Sequence, residues 1–446
     1  MKIEDIQKIV KKYSESDEYY FIYELSEDFN IRFSNNRVIS NGINNSSYIV
    51  FSAIVDKKVG VSSTTDLSEK SLENCIKNAY NIARESSESE DYFPLPEKEI
   101  YYDKDKYDFN ITHIFNDIES KILKLTKEQK ESRLFGYITG GINTIIVSNS
   151  NGLFKENLIP RIDYSINIKD KDVKRSVWQG KLTSEYNEED IDNLYRKLLL
   201  DFEKTKIRKD LKEGRYKVIL SPSALSDMLI YMMIFMSAKS ADEGRSPFTN
   251  MVGKKAFPEF INLYTDPLDK RIKILNFLLF SLTEINDTFD IGIALEKKDF
   301  IKDGVLKGLI SSREYDKKMG YKNNSFSPSN LILKGSEDDF DSFIKDVDEA
   351  IYINNLWYIR EVDPQTGLLT GLTRDGVYKI ENGKFVHSLN NFRFNQSPIK
   401  ILENTIKMSK SYVASPREFG ENIASNIICP YVLVEDFNLS SVSKAI

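Results

Sequence analysis

The sequence predicts an α+β protein in two parts. Residues 1–210 read as an N-terminal α/β domain with an antiparallel sheet and amphipathic helices, and residues 211–446 as a β-rich C-terminal domain around a central apolar helix. Three observations predict this. Residues 19–64 are β-rich runs broken by turn signals, the next segments repeat apolar residues at helical spacing, and a Met-rich run follows the polar joint near residue 210.

The opening "MKIEDIQKIVKKYSES" alternates charged and apolar residues as an amphipathic helix does. "YYFIYEL", "IRFSNNRVISNG" and "SSYIVFSAIVDKKVGVSSTT" form a meander, punctuated by Asn-Asn, Asn-Gly and Asp-Lys-Lys. In "DLSEKSLENCIKNAYNIARES" the residues Leu72, Cys75, Ile76, Ala79, Tyr80 and Ala83 share one helical face, with Ser68 or Ser71 as cap. "FPLPE" at 93–97 ends that helix and begins a connector. A second helix over 111–130 carries Ile111, Ile114, Phe115, Ile118, Ile122 and Leu125 on one face. "LFGYITGGINTIIVSNSNGLFKE" predicts a hairpin with a type I′ turn at Asn151-Gly152. "TGG" at 139–141 reads as a strand irregularity, since no phosphate-loop spacing follows it.

Strands "RIDYSINIKD" and "RSVWQGKL" and the helix "EEDIDNLYRKLLLDFEKTK" complete the first half, and "KDLKEGR" at 209–215 marks the boundary. The second half opens with the strand "YKVIL" and the helix "PSALSDMLIYMMIFMSAK". Short strands and turns at Asp303-Gly304, Asp375-Gly376 and Asn382-Gly383 follow, interrupted by helices in "EDDFDSFIKDVDEA" and "SPIKILENTIKMSK".

With 446 residues, the chain has room for two or three ordinary domains. Its 41% hydrophobic and 29% charged residues are the balance of a globular protein with a substantial core. The net charge of −6, with no block of basic residues, argues against a nucleic-acid partner. Two distant cysteines, Cys75 and Cys429, give no disulfide framework, which suits a reducing cytoplasm. The N-terminus lacks the apolar core of a signal peptide. Nowhere do 18 apolar residues run together, so no membrane span is expected.

Chemistry-bearing residues are sparse. The two histidines, His113 and His387, fall in different halves, so an H-E-x-x-H zinc site cannot be written. His113 reads as a surface or capping residue at a helix start, and His387 as a strand residue. Cys75 lies on an apolar helix face and Cys429 precedes Pro430 in the last apolar strand, so both read as packing residues. "ADEGRS" at 241–246 and "DEA" at 348–350 are acidic stretches that read as solvated surface. Between Ser221 and Ala238, Asp227 is the only charged residue. The sequence nominates no catalytic, cofactor-binding or metal-binding residue.

The stretch 59–97, "VGVSSTTDLSEKSLENCIKNAYNIARESSESEDYFPLPE", resembles the TldD/PmbA family, once described as modulators of DNA gyrase and now regarded as metallopeptidases. "VSNSNGLFKE", "YKVILSPSALSDML", "FIKDGVLKGLISSREYDKKMG", "GVYKIENGKFVHSL" and "NIICPYVLVEDFNLSS" are similar to successive family segments, in order. The family has two related subunits. The TldD type carries H-E-x-x-x-H on the helix after the boundary strand, and the TldE/PmbA type lacks these ligands. Here that helix reads "ALSDMLIYMMIFM", and Cys429 sits as in PmbA-type chains. The resemblance implies a TldE/PmbA-type subunit with no metal of its own, paired with a TldD-type subunit or a second copy. Zinc or another divalent metal would belong to a TldD-type partner, where it would activate a bound water. The substrate would be an extended or unfolded peptide. The alternative is a stand-alone hydrolase or peptide-binding module with an unidentified site.

Overall fold

The computed structural model describes all residues except 1, 16, 104, 106, 108, 173, 281–282, 284–287, 322–326, 420–425 and 444–446. Helix α1 (Ile3–Tyr13) is followed by β1 (Glu18–Ser34), β2 (Arg37–Val55) and β3 (Lys58–Thr64), then by α2 (Glu69–Glu85). The strands meet through two-residue turns. Asn35-Asn36 and Asp56-Lys57 both have positive φ at each residue, the geometry that matches strand twist. Ser68 caps α2 by accepting the Ser71 N–H. After β4 (Ile100–Tyr101) come α3 (Ile111–Glu128), β5 (Ser132–Asn149), β6 (Phe154–Asp170), β7 (Ser176–Thr183) and α4 (Asp190–Lys204).

Seven strands make one sheet, ordered β3-β2-β1-β5-β6-β4, with β7 on β6. Helices α1 and α2 bury Ile6, Val10, Leu72, Ile76 and Tyr80 against Phe21 and Phe51. Helices α3 and α4 bury Ile114, Ile118, Leu198 and Phe202 over Phe29, Ile31 and Tyr164. Phe115, expected on the apolar face of α3, is only partly buried at its margin.

Two readings change here. The β5–β6 turn is not type I′: Gly152 alone has positive φ, at +88°, and its N–H donates to Asn149 O. Ser150 and Asn151 keep negative φ, giving a type I turn that ends in a left-handed glycine. The Asn149 carboxamide locks it by accepting the N–H groups of Asn151 and Leu153. "TGG" is not an irregularity either, because Thr139–Gly141 pair in unbroken register with both β1 and β6. The glycines serve close approach: a Cβ on Gly141 would lie 2.2 Å from Asp28 Oδ1, and one on Gly140 2.5 Å from the Phe29 ring.

The polar run at 209–215 overlaps structured elements. β8 (Arg208–Lys209) and β9 (Gly214–Leu220) lead into α5 (Pro222–Phe235) and α6 (Ala238–Asp242). Next come β10 (Leu263–Thr265), β11 (Lys298–Lys302), β12 (Val305–Leu306), α7 (Arg313–Met319), β13 (Asn330–Leu333), α8 (Phe340–Ile344), β14 (Glu349–Asp363), β15 (Leu368–Glu381), β16 (Lys384–Leu389), β17 (Asn391–Gln396), α9 (Pro398–Glu403), β18 (Thr405–Val413) and β19 (Asn426–Ser443). Twelve strands form a mixed sheet, ordered β12-β11-β10-β13-β19-β9-β14-β15-β16-β8, with β17 and β18 added alongside.

The helices expected over 337–350 and 397–410 shrink to α8 and α9, of five and six residues. Packing overrides propensity in both. Glu349 and Ala350 are claimed by an antiparallel ladder with β15, and Thr405–Val413 by one with β19. Asp303-Gly304 and Asn382-Gly383 are two-residue turns with positive φ at both residues, as the dipeptides suggest. Asp375-Gly376 is not a turn: both residues lie inside β15, where together they oppose Asn354 as a bulge. The halves also interleave. Leu275, Phe277, Phe289 and Ile291 pack on Tyr20, Ile145 and Val147 of the first sheet.

Candidate functional site

Helix α5 starts where β9 ends. Ser221 caps it by accepting the Ala224 N–H at 3.1 Å and donating to Asn354 O, and Pro222 sets the first turn. The helix is apolar on almost every side and is correspondingly buried, with Met228, Leu229 and Met232 at 0% exposure. Tyr231, half-buried, donates to Ile359 O at 2.8 Å.

Asp227 is fully buried on this helix. Its Oδ2 accepts the Arg417 N–H at 3.2 Å and its Oδ1 the Glu418 N–H at 3.1 Å. Burial pushes the carboxyl up to about 7, against the opposing pull of those two N–H groups. Cys429 lies beside it, its thiol raised well above the usual range by burial and by the Asp227 charge. The Cys429 Sγ meets Pro222 O at 3.4 Å. Ser223 Oγ is 2.9 Å from Asn355 Oδ1 and 2.7 Å from Ser415 O, and donates to one at a time. The Asn355 Nδ2 is buried without a hydrogen-bond partner.

A second carboxylate ties this helix to the first sheet. Asp375, in the β15 bulge, accepts from Arg417 Nη1 and from Ser176 Oγ of β7. Burial works to raise its carboxyl, but the charges of Arg417 and Arg374 and the Ser176 bond outweigh it and hold it below the usual carboxylate range. The Arg417 guanidinium lies 5.0 Å from the Trp178 ring and 5.6 Å from that of Trp357.

The other residues weighed from sequence stand apart. His113 is exposed on α3, with its ring edge-on to Tyr186, and its backbone N–H bonds the Asn110 cap. His387 is buried on β16, and burial lowers its pKa. Cys75 is buried on α2 in the packing beside Phe51. Asp242 of the 241–246 stretch accepts the hydroxyls of Tyr315 and Tyr321, and Glu349 pairs with Lys379. Among the described residues no three His, Cys, Asp or Glu lie close enough to hold a metal ion. The site beside α5 does not fit a catalytic metal: Asp227 is engaged by backbone N–H groups, Asp375 by Arg417 and Ser176, and the adjoining helix face is apolar. No described helix is long and apolar enough to cross a membrane.

Two cavities lie apart from Asp227 and Asp375. One of about 370 Å³ lies on the first sheet among Glu24, Ser26, Asp28, Asn143 and Arg161, and Arg161 Nη1 reaches Asn426 Oδ1 at 3.2 Å. The other, of about 740 Å³, lies past the end of α5 among Asp242, Phe248, Lys254, Ser311, Asp316 and Tyr321. In the latter, Ser311 donates to Asp316, and no imidazole is present to activate a hydroxyl.

Sequence reasoning singled out Asp227 but passed over Arg417 and Asp375. Only the tertiary fold brings them together, and a lone Arg in "ASPREF" carries no signal.

A family profile described as PmbA/TldA metallopeptidase C-terminal domain matches residues 213–441, and one for domain 1 of the same metallopeptidases matches residues 21–83. A protein of Buchnera aphidicola named metalloprotease TldD homolog is 22% identical over 415 residues, covering 85% of this chain and 78% of that protein. TldE from Thermococcus kodakarensis superposes with a TM-score of 0.81 at 17% identity, covering 98% of this chain and 99% of its own. A Bacteroides thetaiotaomicron structure described as a modulator of DNA gyrase gives a TM-score of 0.78 at 18% identity, with 98% of each chain covered.

Proposed function

The chain belongs to the PmbA/TldD metallopeptidase family, and we propose that it is a TldE/PmbA-type subunit without metal ligands of its own. On this reading it works with a metal-bearing TldD-type partner, or pairs with a second copy, in the cytoplasmic processing or degradation of extended peptides. The observation that carries the reading is Asp227. It is the only charged side chain on the helix that bears the family's ligands in TldD-type chains, and its two oxygens are taken by the Arg417 and Glu418 N–H groups. The likeness to TldE over nearly the whole chain supports it.

This chain then contributes walls and backbone. β3 pairs with β2 only over Ile49–Val55, so the edge of β2 from Arg37 to Tyr48 has no strand beside it among the described residues. Such an edge suits an extended peptide held by main-chain hydrogen bonds. The chain divides near residue 210 on this reading, Leu275, Phe277, Phe289 and Ile291 reach back onto the first sheet, and the centre around Asp227 and Asp375 lies between the halves.

Elemental analysis after exhaustive dialysis tests the absence of ligands. The purified chain is expected to hold well under one zinc per chain. One tightly bound zinc, lost on replacing His387 or Cys429, would overturn the reading.

A further inference from the structure

Residues 414–419 cross between the two sheets, and from Ser415 onward their described anchors are contacts outside any β-ladder. Ser415 O faces Ser223 at 2.7 Å. Its Oγ lies against β7, where a Cβ on Gly180 would come within 3.0 Å of it. The N–H groups of Arg417 and Glu418 bond Asp227, and the Arg417 guanidinium bonds Asp375 between the two indoles. The Glu418 carboxylate accepts the Tyr358 N–H at 2.8 Å and Arg360 Nη1 at 2.7 Å. Phe419 packs edge-on to Tyr231 at 5.2 Å. A segment held this way can separate without breaking either sheet, as locally opening units do. Beneath it lie Ser223, Asp227 and Asn355, and the buried Asn355 Nδ2 has no acceptor.

We propose that residues 414–419 are a strap that closes the space between the two sheets and can lift from it, with Asp227 as its latch. This does not depend on which partner the chain has.

Asp227 makes the closure depend on protons. Closed, its carboxyl sits at about 7 because it is buried; lifted into water it returns toward an ordinary ~3.9. Closing therefore takes up a proton between those values. The strap is held fully at acid pH and loosens as pH rises through about 7. The charged and titratable groups bearing on Asp227 are Arg417 and Glu418 of the strap, Cys429 of β19 and Tyr231 of its own helix, with Arg360 of β14 bonded to Glu418. The core residues that β9, β18 and α9 contribute around this helix are apolar: Val218, Leu220, Met408 and Ile401 among them.

The protein has two tryptophans, and Arg417 lies against both, so tryptophan emission reports on the strap. Emission of the full-length chain from pH 5 to 9 should show one transition near neutrality, absent in Asp227→Asn. Hydrogen exchange at the 417 and 418 amides, corrected for intrinsic rate, should rise about tenfold or more between pH 6 and 8, as expected for one coupled proton. Arg417→Ala should shift the emission and abolish its pH response while far-ultraviolet circular dichroism stays unchanged, which keeps the test decisive if Asp227→Asn misfolds. Flat wild-type emission with constant protection, or the same transition in Asp227→Asn or Arg417→Ala, would overturn the proposal.

Discussion

Met232→Glu is expected to leave no folded protein. Met232 sits at 0% exposure on α5, in a cluster with Leu229, Ile353, Phe392 and Val432 from four elements. These neighbours are apolar, so the carboxylate must either ionise unpaired among them or stay protonated and displace packed methyls. Either outcome costs on the order of 4 kcal/mol or more, which approaches the whole stability of an ordinary domain at ~5–15 kcal/mol. Insoluble expression or loss of cooperative thermal unfolding would be the readout. A soluble Met232→Glu chain melting like the wild type would mean that this face of the helix is accessible after all.

Asp375→Ala should come second in effect. The carboxylate is fully buried and joins Arg417, Arg374 and Ser176, so its loss strands two guanidinium groups beside Trp357 and unties β7 from β15. Breaking a buried pair by removing one partner costs about 3–5 kcal/mol. Because the network spans both sheets, the loss should appear as weakened docking of the halves. Limited proteolysis of Asp375→Ala should then yield fragments parting near residue 210, under conditions where the wild type resists. An unchanged melting temperature and unchanged cleavage would show that the apolar contacts of Leu275, Phe277, Phe289 and Ile291 with the first sheet hold the halves without this network.

Much of the first sheet was legible because its strands and helices obey local rules. The faces of α2 and α3 follow 3.6-residue spacing, and Ser68 caps where a serine before an apolar run should. Asn382-Gly383 turns because its flanking strands are neighbours. The same chemistry misled at Asp375-Gly376. That dipeptide also favours positive φ, but here it supplies a bulge that aims a carboxylate into the core. Local pattern cannot tell the two apart, since the difference lies in what β14 and Arg417 present across the strand. The helices over 337–350 and 397–410 were overdrawn for a related reason: Glu349 and Ala350 pair with β15, and the segment from Thr405 pairs with β19. Asp227 stood out as a lone charge in an apolar run, but its partners are two backbone N–H groups, which no residue type announces. The strap was invisible for the same reason.

On the reading proposed above, this chain is the ligand-poor member of a metallopeptidase pair. That reading is tested most directly by measuring hydrolysis of an unstructured peptide by the isolated chain, by a family subunit carrying H-E-x-x-x-H, and by the two mixed. The chain alone should show no hydrolysis above background, and the mixture should show activity that a chelator abolishes and added metal restores. Chelator-resistant hydrolysis by the isolated chain, undiminished across independent preparations, would contradict the account.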